Sequence, residues 1–123
     1  MDDTQAIEAA LQAYFDGLYD GDTGKLASCF HETADLRAVS PEGKLAMMTR
    51  QQWFDYVTSR PSAASRGLAR HDWVVTLDRS GPATAFAKVN CQLPPRYFTD
   101  YLVLGKLADG WKIISKTYHT ETR

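Results

Sequence analysis

The chain has 123 residues, 44% hydrophobic and 24% charged, which excludes disorder and suits one domain, 1–123, with a genuine core. Lys and Arg total 14 against 15 Asp and Glu, a net charge of −1, so the basic excess of a nucleic-acid binder is missing. No apolar run approaches the roughly 18 residues that cross a bilayer, and MDDTQAIEAA has neither the basic start nor the apolar stretch of a signal peptide, so a cytoplasmic protein is expected.

Residues 4–20 predict an amphipathic helix. Ile7, Leu11, Tyr14 and Leu18 recur at helical spacing, with Ala10 and Phe15 widening the stripe. Asp2, Asp3 and Thr4 offer a cap and favourable negative charge at its start. Gly21 supplies a stop, and Asp22 can cap a short second helix in which Leu26, Cys29 and Phe30 face the core. Residues 35–39 and 44–48 read as short strands joined by the turn SPEG. Thr49 and Gln52 form a capping box for a third helix, which carries Trp53, Phe54 and Val57 and must end before Pro61.

Residues 60–67 are small and polar and predict a loop. Beyond them the pattern is strand, over 68–78, 83–92, 97–108 and 111–119. SGP, Pro94-Pro95 and Asp109-Gly110 mark the turns, the last a two-residue hairpin. Alternation places Ala69, His71, Trp73, Val75 and Leu77 on the inner face of 68–78, and Ala85, Ala87, Val89 and Cys91 on that of 83–92. The same count places Trp111, Ile113, Ser115, Thr117 and His119 inward on the last strand. Helices gathered on one face of antiparallel strands make an α+β architecture. A sheet curled over helices forms a cone, and a cone can hold a pocket. Cys29 and Cys91 lack metal-ligand spacing and read as two buried free thiols.

The runs YFDGLYDGDTGKLASCF and HETADLRAV resemble the opening of nuclear transport factor 2-like proteins. The closing FTDYLVLGKLADGWKIISKTYH is similar to the last hairpin of that superfamily. Within it the chain most resembles the polyketide-cyclase-like and putative lumazine-binding branch. The resemblance implies a cystatin-like fold: a strongly curved, cone-shaped antiparallel sheet on three N-terminal helices. It also implies a homodimer through the outer sheet face, for which Val74, Phe86, Ile114 and Tyr118 form the expected apolar patch.

Ketosteroid isomerases of this superfamily use a carboxylate base and an oxyanion hole made of a Tyr and a protonated Asp. The resemblance sets Tyr14 and Asp100 on the hole positions but Ala38 on that of the base. Alanine moves no proton, so this route to ketosteroid isomerisation is missing its central group. Tyr14 and Asp100 remain candidates to orient a ligand, and His71 is the one obvious base. Those three are the candidate catalytic residues. Trp53, Phe54 and His119 join them as candidate ligand contacts. Of the aromatics Tyr14, Phe15, Tyr19, Trp53, Phe54 and Tyr56, only two or three are expected to reach a cavity, the rest filling core. His71 and Asp72 point to opposite faces and cannot share an ion, so no metal or cofactor is expected.

Two functions fit. One is a protein that binds a small apolar or aromatic ligand, with proton-transfer chemistry of the isomerase, dehydratase or cyclase type left open. The other is a homodimeric interaction protein whose cone is filled by side chains. A cavity of roughly 300 Å³ or more favours the first, and a solid interior the second.

Overall fold

The computed structural model describes residues 2–123. Helices α1 (Asp3–Asp20), α2 (Thr23–Cys29) and α3 (Arg50–Thr58) lie with strands β1 (Phe30–Val39), β2 (Leu45–Thr49), β3 (Asp72–Ser80), β4 (Thr84–Leu93), β5 (Arg96–Leu107) and β6 (Gly110–Thr122). The strands form one open sheet in the order β2-β1-β6-β5-β4-β3. The fold is α+β as the sequence predicts, but the sheet is mixed. β1 and β6 run parallel, with Asp35 opposite Ser115 and Arg37 opposite Thr117. The other four pairings are antiparallel. The sequence predicts antiparallel strands only and gives the first hairpin no partner among the late strands. In the structure β1 begins at Phe30, directly after α2, and docks beside the last strand, so a single sheet results.

The caps explain where the helices start. Asp2 accepts from the Gln5 amide at 2.8 Å while the Gln5 side chain accepts from the Asp2 amide, a capping box for α1. Thr49 and Gln52 make the equivalent box for α3. The chain leaves α1 through Gly21 at φ 66°, the left-handed conformation that glycine adopts without a Cβ penalty. Asp22 then accepts from the Gly24 and Lys25 amides and opens α2. The two helices approach so closely that a Cβ on Gly17 would lie 2.9 Å from Leu26 Cδ2. None of the helices is long and apolar enough to cross a membrane, among the described residues.

Helix α1 lays Ile7, Leu11, Tyr14 and Phe15 on the inner face of the sheet, where Val89, Leu102, Leu104 and Ile113 are fully buried. Two ion-pair systems fasten its solvent side. Arg79 on β3 and Lys106 on β5 reach Asp3 at 3.2 and 2.9 Å. Arg70 bridges Asp16 and Asp72, the latter at 2.9 Å.

Two β-bulges reverse the predicted facing of whole strand segments. On β6, Val103 pairs with Ser115 but Leu104 pairs with Ile113, so Ile114 is an extra residue. Trp111 and Ile113 face in, as predicted. Beyond the bulge the inward set is Lys116, Tyr118 and Thr120, opposite Leu102, Asp100 and Phe98. Ser115, Thr117 and His119 therefore turn outward, against the alternation count. On β3, Val75 is the extra residue between Val74, opposite Val89, and Thr76, opposite Lys88. Trp73 lies opposite the outward Asn90, so it faces out, and Val75 is exposed. Of the strand residues expected inside, only Leu77, opposite buried Ala87, keeps that place. β4 follows the prediction, with Ala85, Ala87, Val89 and Cys91 all buried. The hairpin turn also shifts by one residue: Leu107 pairs with Gly110, so Ala108-Asp109 is the loop and Gly110 takes φ 113°.

Candidate functional site

Tyr14 sits in the middle of α1 and points into the sheet, completely buried. Its hydroxyl donates a short hydrogen bond to Asp100 Oδ2. Asp100 is also fully buried, on β5, where Val89 and Tyr118 flank it. A third group completes the cluster. Lys116 on β6 donates from Nζ to the Tyr14 hydroxyl oxygen at 2.8 Å and lies 3.9 Å from Asp100 Oδ2. The ammonium is further held over three rings, those of Trp53 at 4.7 Å, Tyr14 at 5.0 Å and Tyr118 at 5.1 Å. Such cation–π contacts strengthen when water is excluded, as here.

The electrostatics of the cluster follow from burial. Loss of water, then the neighbouring Asp100 carboxylate, holds the Tyr14 phenol well above its ordinary pKa of 10.0, so it stays a proton donor. The Cys91 thiol, 3.8 Å from Asp100 Oδ2, is pushed upward by burial and then by the same carboxylate. Cys29, the other buried free thiol, rises to about 12 through burial. Asp100 Oδ1 has no hydrogen-bond partner among the described residues.

A cavity of about 280 Å³ opens above this cluster. It falls just short of the roughly 300 Å³ usual for small-molecule pockets, yet the interior is hollow rather than solid. Tyr14 and Lys116 form its floor, Trp53 and Val57 on α3 one wall, and Phe98 and Tyr118 the sheet wall. Of the six aromatics weighed from the helices, Tyr14, Trp53 and Tyr56 reach the cavity. Phe15 and Phe54 join the core, and Tyr19 donates to the Leu68 carbonyl at 2.8 Å. Among the described residues no His, Asp or Glu lines the wall, so the groups facing a guest are hydroxyls and cations. Asp100 stands behind Tyr14 and Lys116 instead of in the wall.

The structure brings Tyr14, Asp100 and Trp53 together and sends the two histidines elsewhere. His71 is exposed and packs against Trp73, ring centroids 4.6 Å apart and tilted by 45°, on the outer side of the sheet near Asn90. His119, opposite Thr99, is likewise outward. The reason in both cases is strand parity. His71 immediately precedes β3 and lies on the outward side with Trp73, whose facing the Val75 bulge sets, and His119 lies past the Ile114 bulge. Phe54 packs beneath Arg50 and beside Trp53, with no share of the cavity. Lys116 is the residue that sequence reasoning missed: strict alternation from Trp111 and Ile113 would turn it outward, and the bulge at Ile114 turns it in. The doublet Ile113-Ile114 interrupts the apolar–polar alternation of 111–119 and was the one sign that an extra residue intervenes.

Comparison with known proteins agrees with this architecture. The chain resembles the crystal structure of an NTF2-like protein of unknown function from Shewanella baltica, with 25% identity, 98% of this chain and 94% of that one covered, and a TM-score of 0.85. A second NTF2-like protein, from Methylobacillus flagellatus, shares 23% identity over 99% of this chain and 94% of that one, with a TM-score of 0.84. A ketosteroid isomerase-like protein from Erwinia carotovora atroseptica shares the fold at 14% identity, 97% and 96% coverage and a TM-score of 0.71. No curated protein matches the chain. The profile of the family described as "Putative lumazine-binding" matches residues 2–119. With nearly its whole length inside that match, this chain belongs to the Putative lumazine-binding family.

Proposed function

We propose that this protein binds a small, flat, ring-bearing molecule in the cavity over Tyr14 and Lys116. The observation that carries the reading is the hollow itself, about 280 Å³, walled by aromatic rings and ending on a buried ammonium. Aromatic walls with few polar groups suit a planar guest. Lys116 supplies the donor for a carbonyl or similar acceptor at the inner end. The family description speaks of lumazine, a flat bicycle with carbonyl acceptors, so a lumazine belongs among the molecules tested. Among the described residues the cavity wall carries no carboxylate or imidazole to take a proton, which favours binding over isomerase-type proton transfer. A thermal-shift screen of ring-bearing metabolites is the test. Stabilising ligands are expected, with smaller shifts for Tyr14→Phe and Asp100→Asn, which loosen the floor. If no ring compound raises the melting temperature of the wild-type protein, the reading fails.

A homodimer through the outer sheet face is a second, compatible proposal. Trp73, Val75, Tyr101 and Ile114 are large apolar side chains exposed at 45%, 44%, 43% and 39%. Phe86 stacks on Tyr101 with centroids 6.3 Å apart and extends the patch. Tyr118, expected there from the sequence, faces the cavity instead.

A further inference from the structure

The cavity wall differs in charge from the rest of the molecule. Arg60, Arg66, Arg96 and Lys116 line it without a single acid among the described residues, although acidic residues outnumber basic ones by 15 to 14 along the chain. Lys116 is offset by Asp100, 3.9 Å away. The three arginines make no ion pair among the described residues.

Their placement is specific. Arg60 lies just past the end of α3, and Arg96 opens β5. Both nevertheless donate to one acceptor, the Tyr56 phenol oxygen, Arg96 at 3.1 Å and Arg60 more closely. Two guanidinium groups converging on one neutral oxygen repel each other, and neither has an ion-pair partner among the described residues. An anion seated between them would. Guanidinium is the side chain best matched to planar anions, which it can grip with two parallel hydrogen bonds. The hydrogen bond from Arg96, and then those groups' charges, also lower the pKa of the Tyr56 phenol, as a positive local field should. Arg60 and Arg66 are exposed while Lys116 is buried, so the arginines mark the mouth and the ammonium the floor.

We infer that the guest is an organic anion, with its ring between Trp53 and Tyr118 and its anionic group at the mouth among Arg60, Arg66 and Arg96. This inference rests on the binding reading above and narrows its ligand class. The two fail differently. Matched probes separate them: 2-naphthoate against 2-naphthamide, and indole-3-carboxylate against indole-3-carboxamide, titrated by calorimetry at low and high salt. Each acid is expected to bind about tenfold more tightly than its amide, the value of one charge-assisted contact. The preference should shrink at high salt. It should also fall in Arg96→Gln and Arg60→Gln, two partly or fully exposed positions where folding is not at stake. Equal binding of acid and amide, or a preference that neither substitution reduces, overturns the anion inference and leaves the pocket reading standing. Failure of acids and amides alike removes both.

Discussion

Lys116 Nζ stands 2.8 Å from the Tyr14 hydroxyl oxygen, 102 positions away along the chain. That contact joins the first helix to the last strand across the cavity floor, with Asp100 of β5 closing the triangle. Three buried polar groups in an apolar setting are stabilising only while all three are present.

Removing one member leaves its partner buried and unpaired, so the costs of removing two should not add. Lys116→Met leaves the Asp100 carboxylate buried without its cation, and Asp100→Asn does the reverse. Each is expected to lower the unfolding free energy by about 3 kcal/mol. The double variant should lose clearly less than the sum, as read by urea denaturation. Strict additivity would show that the two charges do not interact.

Alkaline pH should weaken the fold in a defined window. The folded pKa of Tyr14 lies well above 10.0, and that of Cys29 lies at about 12 against an ordinary 9.0. The folded state therefore keeps protons that the unfolded chain releases, and stability falls as pH rises. The contribution is intact below pH 9.0, begins to fade there through Cys29 and Cys91, and fades further above 10.0 through Tyr14. Each such proton steepens the decline by about 1.4 kcal/mol per pH unit. Urea midpoints measured from neutral pH upward should fall less steeply above 10.0 in Tyr14→Phe than in wild type. Parallel slopes would contradict the assignment.

Gly17→Ala should destabilise the protein although alanine is the better helix former. The added Cβ would lie 2.9 Å from Leu26 Cδ2 and 3.2 Å from the Asp22 carbonyl oxygen, part of which is backbone that cannot swing away. Overpacking of this kind costs roughly 1–3 kcal/mol, against about 1 kcal/mol gained in helix propensity. A net loss in thermal unfolding is expected, and a rise in melting temperature would mean that α1 and α2 separate easily.

Charge on the outer face should report on assembly. Tyr101→Lys and Ile114→Lys place ammonium groups in the exposed apolar patch without touching the buried core. Sedimentation equilibrium is expected to give a dimer for wild type and a monomer for the double variant. A wild-type monomer at all concentrations would remove the dimer proposal.

Local chemistry made much of this architecture legible. Asp2, Asp22 and Thr49 announced the helix starts, Gly21 the end of α1, and the alternation of Ala85, Ala87, Val89 and Cys91 the inner face of β4. Tyr14 and Asp100 were readable as partners only through family resemblance, because 86 residues separate them. Lys116 was missed, and His71 and His119 misplaced, for one physical reason. Alternation has a period of two, and a single bulged residue inverts everything beyond it. The parallel joint of β1 with β6 had no local signature either, since it depends on where β1 begins rather than on any turn.

Blocking the cavity without disturbing its floor is the most direct test of the binding account. Val57 lines the wall from α3 and is only half-buried, so Val57→Phe can fill space at little cost to the fold. Calorimetric titration of the best ring-bearing ligand should show binding to wild type and none to Val57→Phe, with the variant still folded by circular dichroism. Equal affinity for both proteins would place the ligand outside the cavity and contradict the account.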